Sequence, residues 1–127
     1  MEKEEKLILV IDDEIAICEL IYAGLRAAGY RCIVSTDSTS SLALVESTPN
    51  LVMVITDIVM PKKEGLELIQ EFRSRFPALK IIAMSGANQG AENLYLEPAA
   101  KFGADLSLAK PIKIMELIEH VRVFLGD

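Results

Sequence analysis

The stretch LILVIDDE, residues 7–14, joins a continuous apolar run to two aspartates that follow it directly. A short run without polar alternation is typical of a strand covered on both faces, as in a parallel sheet. Four further short apolar runs, rich in Ile, Val and Leu, occur later in the chain: Cys32–Val34, Leu51–Ile55, Ile81–Met84 and Leu106–Leu108. The sequence therefore predicts a sheet of five strands.

Segments with helical spacing of apolar residues lie between these runs. The first carries its apolar stripe from Ile17 to Ala28, and Gly29 stands where a helix C-cap is expected. Prolines bound the other three predicted helices. One begins at the Ser/Thr-rich stretch Ser38–Ser41 and ends before Pro49, one runs from Leu66 to Phe76 before Pro77, and one runs from Ile114 to Leu125 after Pro111.

The stretch from Gly86 to Gly103 is the least regular, because Pro98 stands where a helix interior would be expected. We expect a long loop followed by a short helix from near Glu97, or a kinked helix. The alternation of strands and helices, with no linker and no repeat, predicts one doubly wound α/β domain over residues 1–127.

Composition excludes several classes of protein. The 127 residues include 13 Lys+Arg and 19 Asp+Glu, a net charge of −6, which argues against binding of nucleic acid or an anionic membrane by this chain. No apolar run approaches the ~18 residues of a membrane span. Two cysteines, Cys18 and Cys32, and one histidine, His120, argue against a disulfide scaffold and a zinc site. We expect a soluble, cytoplasmic domain.

Charged and polar residues fall at the ends of the predicted strands. Asp12 and Asp13 follow the first strand, Asp57 the third, Ser85 the fourth and Lys110 the fifth. In an open parallel sheet the carboxyl ends of the strands share one edge, where ligands bind at the point at which the strand order reverses. If the first and third strands are neighbours there, three carboxylates converge.

Three converging carboxylates repel one another and raise each other's pKa values. A hard divalent cation such as Mg²⁺, which takes oxygen ligands, relieves this repulsion. A lysine ammonium beside them suits an incoming phosphate. A carboxylate next to both cations can act as a nucleophile and form an aspartyl phosphate.

Each of these residues also has an ordinary structural explanation. Asp13 alone could cap the first helix, Asp57 and Ser85 could belong to turns, and Lys110 could be a solvated loop residue. Core packing, however, does not require five polar residues after four separate strands. The joint pattern therefore favours a functional site.

The chain resembles the receiver domain of two-component response regulators over essentially its whole length. The matching segments are LILVIDDE (residues 7–14), ITDIVMPKKEG (55–65), IIAMSGA (81–87) and GADLSLAKP (103–111). The resemblance implies a flavodoxin-like fold with strand order 2-1-3-4-5. It also implies a signalling domain that catalyses only its own phosphorylation and dephosphorylation, and so is not an enzyme in the usual sense.

The resemblance also implies the roles of the site residues. Asp57 would accept a phosphoryl group from a phosphohistidine on a sensor histidine kinase or a histidine phosphotransfer protein. Ser85 would hydrogen-bond the phosphoryl oxygen and Lys110 would pair with it. The ligands of Mg²⁺ would be Asp13, Asp57, the Val59 backbone carbonyl and, partly through water, Asp12. A downstream output domain or protein, and a homodimer formed on phosphorylation, are the further partners of such a domain.

Two other functions compete with this one. A receiver-fold interaction domain that works without phosphorylation would not need all five site residues, and their presence speaks against it. A stand-alone phosphatase with an aspartyl nucleophile would need a second Asp in a D-x-D arrangement, whereas here the segment is Asp57-Ile58-Val59.

The sequence departs from the family pattern at three positions. Ser107 stands where an aromatic switch residue is usual in the family, and Ile112 replaces the Phe that commonly follows Lys-Pro. Pro98 interrupts the helical region expected between the fourth and fifth strands. Ser107 and Pro98 fall on the face that usually transmits phosphorylation. The departures therefore concern the output mechanism and leave the site chemistry untouched.

Overall fold

A computed structural model describes residues 5–58, 65–85 and 102–127 of the chain. Five parallel strands form one sheet in the order β2-β1-β3-β4-β5. The strands are β1 (Leu7–Ile11), β2 (Arg31–Ser35), β3 (Leu51–Asp57), β4 (Lys80–Ser85) and β5 (Leu106–Ala109). The helices of the described residues are α1 (Ile15–Ala27), α2 (Ser41–Ser47), α3 (Gly65–Arg75) and α4 (Ile114–Leu125), with a 3-10 turn at Ser38–Ser40 before α2.

This topology confirms the predicted doubly wound fold and its strand order. Strand β1 coincides with its apolar run, and the other four strands are slightly longer than theirs, so that Asp57 and Ser85 are the last residues of β3 and β4. The predicted loop and short helix between residues 86 and 101 lie outside the described residues. Within the described ranges, no helix is both long and apolar enough to cross a bilayer.

The central strands β1, β3 and β4 are buried on both faces, which explains their continuous apolar runs. In β1, Ile8 and Val10 belong to one core cluster, whereas Leu9 and Ile11 belong to a second cluster. The first cluster also holds buried residues of α1 and α4, and the second holds those of α2 and α3. Because side chains alternate across a strand, a strand with helices on both faces needs an apolar residue at every position.

Helix α1 ends in a Schellman motif, as the position of Gly29 predicted. Gly29 has φ 94° and donates its N–H to the Arg26 carbonyl at 3.0 Å, and Tyr30 N–H donates to the Leu25 carbonyl at 2.9 Å. The left-handed backbone at this position favours glycine. Leu25 and Tyr30 are both buried, which supplies the apolar contact that accompanies the motif.

Arg73 of α3 ties together the amino-terminal ends of β4 and β5. Its guanidinium donates to the Asp105 carboxylate at 2.7 Å and to the carbonyls of Pro77, Leu79 and Gly103 at 2.8–2.9 Å. The same Asp105 oxygen accepts from Ile81 N–H at 2.8 Å, and Asp105 N–H donates to the Ile81 carbonyl at 2.8 Å. We refer to this group as the Arg73 cluster, and it lies at the edge of the sheet opposite the carboxyl ends.

We predict that Tyr30 makes the stability of the domain sensitive to alkaline pH. Burial and a hydrogen bond with Asp127 raise the pKa of Tyr30 from 10.0 to about 12. The folded state thus prefers the neutral phenol, and this preference stabilises it fully below pH 10 and is lost as the pH rises to about 12. The free energy of unfolding, measured with urea, should therefore fall more steeply in this interval for the wild type than for Tyr30→Phe. Equal slopes for the two proteins would contradict the assignment.

Candidate functional site

The carboxyl ends of the four strands β1, β3, β4 and β5 bring five of the predicted site residues to one edge of the sheet: Asp12, Asp13, Asp57, Ser85 and Lys110. Backbone hydrogen bonds continue the strand pairing just beyond the strand ends. Asp12 N–H donates to the Ser35 carbonyl at 3.1 Å, and Lys110 N–H donates to the Ser85 carbonyl at 2.8 Å. The main chain on either side of the site is therefore fixed by the sheet.

Three carboxylates converge at this edge, because β1 and β3 are neighbours. Carboxylate oxygens of Asp12, Asp13 and Asp57 all lie within 4.8 Å of one another. Asp12 and Asp57 are buried, whereas Asp13 is exposed. Three hard oxygen donors, one of them open to solvent, fit a divalent cation such as Mg²⁺.

Helix α1 does not use Asp13 as its N-cap. The N-cap residue is Glu14, whose side chain makes no capping hydrogen bond. The Asp12 carboxylate instead accepts from the Glu14 N–H at 2.9 Å. The ordinary explanation of Asp13 as a helix cap is therefore wrong for this chain.

Lys110 lies among the carboxylates and is itself only 9% exposed. Its Nζ donates to Asp12 Oδ2 at 2.7 Å and to Glu14 Oε1 at 3.3 Å, and it forms an ion pair with Asp57 Oδ2 at 3.6 Å. The lysine is thus the cation that balances the buried carboxylates in the domain as described.

Burial and pairing act against each other on the pKa values of this pair. Burial raises the pKa of Asp12, and the hydrogen bond from Lys110 opposes that rise without cancelling it. Burial by itself would lower the pKa of Lys110, but the hydrogen bond to Asp12 and the charge of Asp57 outweigh it and raise the pKa. The lysine therefore keeps its positive charge at neutral pH.

The hydroxyls of Ser85 and Ser107 are buried and have no hydrogen-bond partner among the described residues. Ser85 ends β4 beside the site, and Ser107 pairs with Ala83 in the sheet. A buried hydroxyl without a partner is costly, so Ser85 has unused hydrogen-bonding capacity at this edge. Val59, whose carbonyl the resemblance assigns to the metal, lies outside the described residues.

Sequence reasoning assigned no role to Glu14, although the residue belongs to the quoted LILVIDDE segment. Its carboxylate reaches the Lys110 ammonium across 96 positions of sequence. The sequence feature that could have indicated this contact is the position of Glu14, directly after the two aspartates and at the start of α1.

Gly65, the first residue of α3, lies against the backbone that follows Asp57. Its N–H donates to the Ile58 carbonyl at 3.0 Å, and a Cβ added at Gly65 would lie 2.2 Å from Ile58 Cα. No L-amino acid fits this approach unless the backbone moves, because each of them carries a Cβ. The glycine therefore holds α3 close to the end of β3.

We predict that Gly65→Ala destabilises the domain by about 1–3 kcal/mol, the usual cost of overpacking. Alanine in an open helical position would instead stabilise by about 0.5–1 kcal/mol, so the sign of the change is diagnostic. Urea denaturation measures the difference, with Ser74→Ala at an exposed position of α3 as the control. A Gly65→Ala domain as stable as the wild type would refute the close approach.

Comparison with known proteins agrees with this fold. A family model described as "Response regulator receiver domain" matches residues 8–122. A receiver domain protein from Clostridium thermocellum superimposes with a TM-score of 0.85 at 29% identity, covering 95% of this chain and 94% of that chain. A CheY-like receiver domain protein from Methanospirillum hungatei gives 0.83 at 28% identity, with 95% and 94% covered. The chain belongs to the family of response regulator receiver domains.

Its curated relatives include transcriptional regulators. The probable transcriptional regulator ycf27 of Cyanophora paradoxa is 33% identical over 98% of this chain and 50% of its own length. The transcriptional regulatory protein CpxR of Klebsiella pneumoniae is 30% identical, over 93% of this chain and 48% of its own length. The chain thus spans about half the length of the curated relatives that it matches.

Proposed function

We propose that this domain is the phosphoacceptor of a two-component phosphorelay and that Asp57 is the residue phosphorylated. The observation that carries the proposal is the convergence of Asp12, Asp13 and Asp57 within 4.8 Å around one buried lysine. Core packing does not explain such a cluster, because burying carboxylates costs free energy. Family membership supports the same chemistry.

In this proposal Asp13, Asp57, the Val59 carbonyl and, partly through water, Asp12 would hold Mg²⁺. When bound, the ion would neutralise the carboxylates and the phosphoryl oxygens. Lys110 carries the second positive charge, because a lysine with an ordinary pKa of about 10.4 is protonated at neutral pH. Ser85 offers the buried hydroxyl that has no partner among the described residues. These residues position and neutralise charge, which is what phosphoryl transfer mainly requires.

The transfer itself is a displacement at phosphorus. A carboxylate oxygen of Asp57 forms the new P–O bond while the P–N bond to the donor imidazole breaks, and the electron pair of that bond remains on the imidazole nitrogen. The donor is a histidine kinase or a histidine phosphotransfer protein. The domain acts as substrate and catalyst of a single phosphorylation, in the manner of a signalling switch.

The proposed partners on the output side are a downstream domain or protein whose binding changes on phosphorylation, with a homodimer of this domain as one form of that change. The transcriptional regulators among its relatives are consistent with this role. The two buried cysteines, Cys18 and Cys32, are free thiols, which fits the reducing cytoplasm that we propose as its compartment.

We predict that Asp57→Asn abolishes phosphorylation and leaves the fold intact. The amide is nearly isosteric with the carboxylate, but it is not a nucleophile. Incubation with acetyl phosphate and Mg²⁺, followed by intact-protein mass spectrometry, should add one phosphoryl group to the wild type and none to the variant. Glu71→Gln on α3 serves as a control that removes a carboxylate elsewhere.

Two results would overturn this assignment. A phosphoryl adduct in Asp57→Asn would move the site to another residue. A wild type that takes up no phosphoryl group and shows no amide shift with Mg²⁺ and beryllium fluoride would favour an interaction domain that works without phosphorylation.

We predict that Lys110→Ala binds Mg²⁺ at least as tightly as the wild type but responds more weakly to the phosphoryl group. Removal of the ammonium at 2.7 Å from Asp12 removes a competitor for the carboxylates. It also removes the charge-assisted hydrogen bond to phosphate. Titration calorimetry with Mg²⁺, and then with beryllium fluoride at saturating Mg²⁺, separates the two effects. Wild-type behaviour in both titrations would mean that Lys110 has no part in the site.

A further inference from the structure

Glu14 has a carboxylate that the helix it begins does not use. The residue occupies the N-cap position of α1, yet its side chain makes no capping hydrogen bond. The carboxylate instead lies 3.3 Å from Lys110 Nζ, although the side chain of Glu14 is 62% exposed and that of Lys110 only 9%. An exposed side chain thus reaches inward to a nearly buried cation.

Lys110 and a divalent cation need the same carboxylates. Lys110 Nζ lies 2.7 Å from Asp12 and 3.6 Å from Asp57, and both aspartates belong to the group whose oxygens converge within 4.8 Å. When a metal ion takes these oxygens, the ammonium must move away from it, because like charges repel. Among the residues that the structure describes, Glu14 is the carboxylate in contact with Lys110 that does not belong to that group.

We propose that Glu14 is a positioning residue for Lys110. Its carboxylate keeps the ammonium at the edge of the site once a divalent cation occupies Asp12 and Asp57, so that the lysine remains available to the incoming phosphoryl group. This inference rests on the proposed phosphoacceptor function. It assigns Glu14 no contact with the metal or with the phosphoryl group.

The sign of one substitution tests this role. A negative charge near the site repels an anionic phosphodonor, so Glu14→Gln acting through charge alone would speed phosphorylation. Loss of the contact that positions Lys110 would slow it. The two explanations therefore predict opposite changes in rate.

The experiment measures the rate of phosphorylation of the full chain by acetyl phosphate at saturating Mg²⁺. Glu14→Gln should be slower than the wild type by about two- to fivefold, the range expected from a partly exposed ion pair. Glu19→Gln, which removes an exposed carboxylate on the same helix, is the matched control and should not be slower. In a Lys110→Ala background the Glu14→Gln change should no longer slow the reaction, because the group that it positions is absent.

A second measurement follows Lys110 directly. Reductive methylation of lysines, read by mass spectrometry, reports how accessible each ammonium is, and Lys113, with 81% of its side chain exposed, provides an internal standard. Addition of Mg²⁺ should raise the methylation rate of Lys110 more in Glu14→Gln than in the wild type or in Glu19→Gln.

Three outcomes decide the matter. An unchanged or faster rate in Glu14→Gln, or an equal effect of Mg²⁺ on Lys110 methylation in all three proteins, would overturn the role of Glu14 and leave the phosphoacceptor function standing. A wild type that takes up no phosphoryl group would overturn the function itself. Slower phosphorylation together with Mg²⁺-dependent exposure of Lys110 in Glu14→Gln alone would establish the role.

Discussion

The ammonium group of Lys110 is the charge on which the functional edge of the sheet depends. It lies within 3.6 Å of oxygens from Asp12, Glu14 and Asp57, and two of these carboxylates are buried. Without a cation among them, burial of these groups would cost several kcal/mol each, as it does for any unpaired buried ion. The fold accommodates the acidic cluster because Lys110, directly after the last strand, lies within ion-pair distance of it.

The same pairing makes the site a compromise between stability and function. Desolvation raises the pKa of Asp12 even though Lys110 donates to it, so burial of this carboxylate in its charged form costs folding free energy. A core built for stability alone would place apolar residues there. The proposed function explains this cost in folding free energy, because in it a divalent cation takes the place of the Lys110 ammonium at the carboxylates.

Much of this arrangement follows from local sequence patterns. Continuous apolar runs indicate buried strands, and Gly29 indicates the end of α1. A polar residue at the end of a parallel strand lies at the common edge of the sheet, and this position made Asp57 a candidate site residue. Contacts that depend on side-chain reach were not foreseeable. Glu14 could have pointed to solvent, and the pairing of Arg73 with Asp105 spans 32 positions and depends on the register of β4 and β5. Sequence patterns predict where the backbone lies, whereas side-chain rotamers and loop lengths determine which charged side chains come into contact.

The Arg73 cluster adds side-chain hydrogen bonds to one end of β4 and β5, whereas the other end is held by backbone pairing. Four hydrogen bonds from one guanidinium, together with two between Asp105 and Ile81, fasten the amino-terminal ends of β4 and β5 to α3. At the other end of these strands lie Ser85 and Lys110, joined by one backbone hydrogen bond of 2.8 Å. A ligand that contacts Ser85 and Lys110 therefore meets a main chain that strand pairing already holds in place, so that its arrival is accommodated by side chains rather than by movement of the strands.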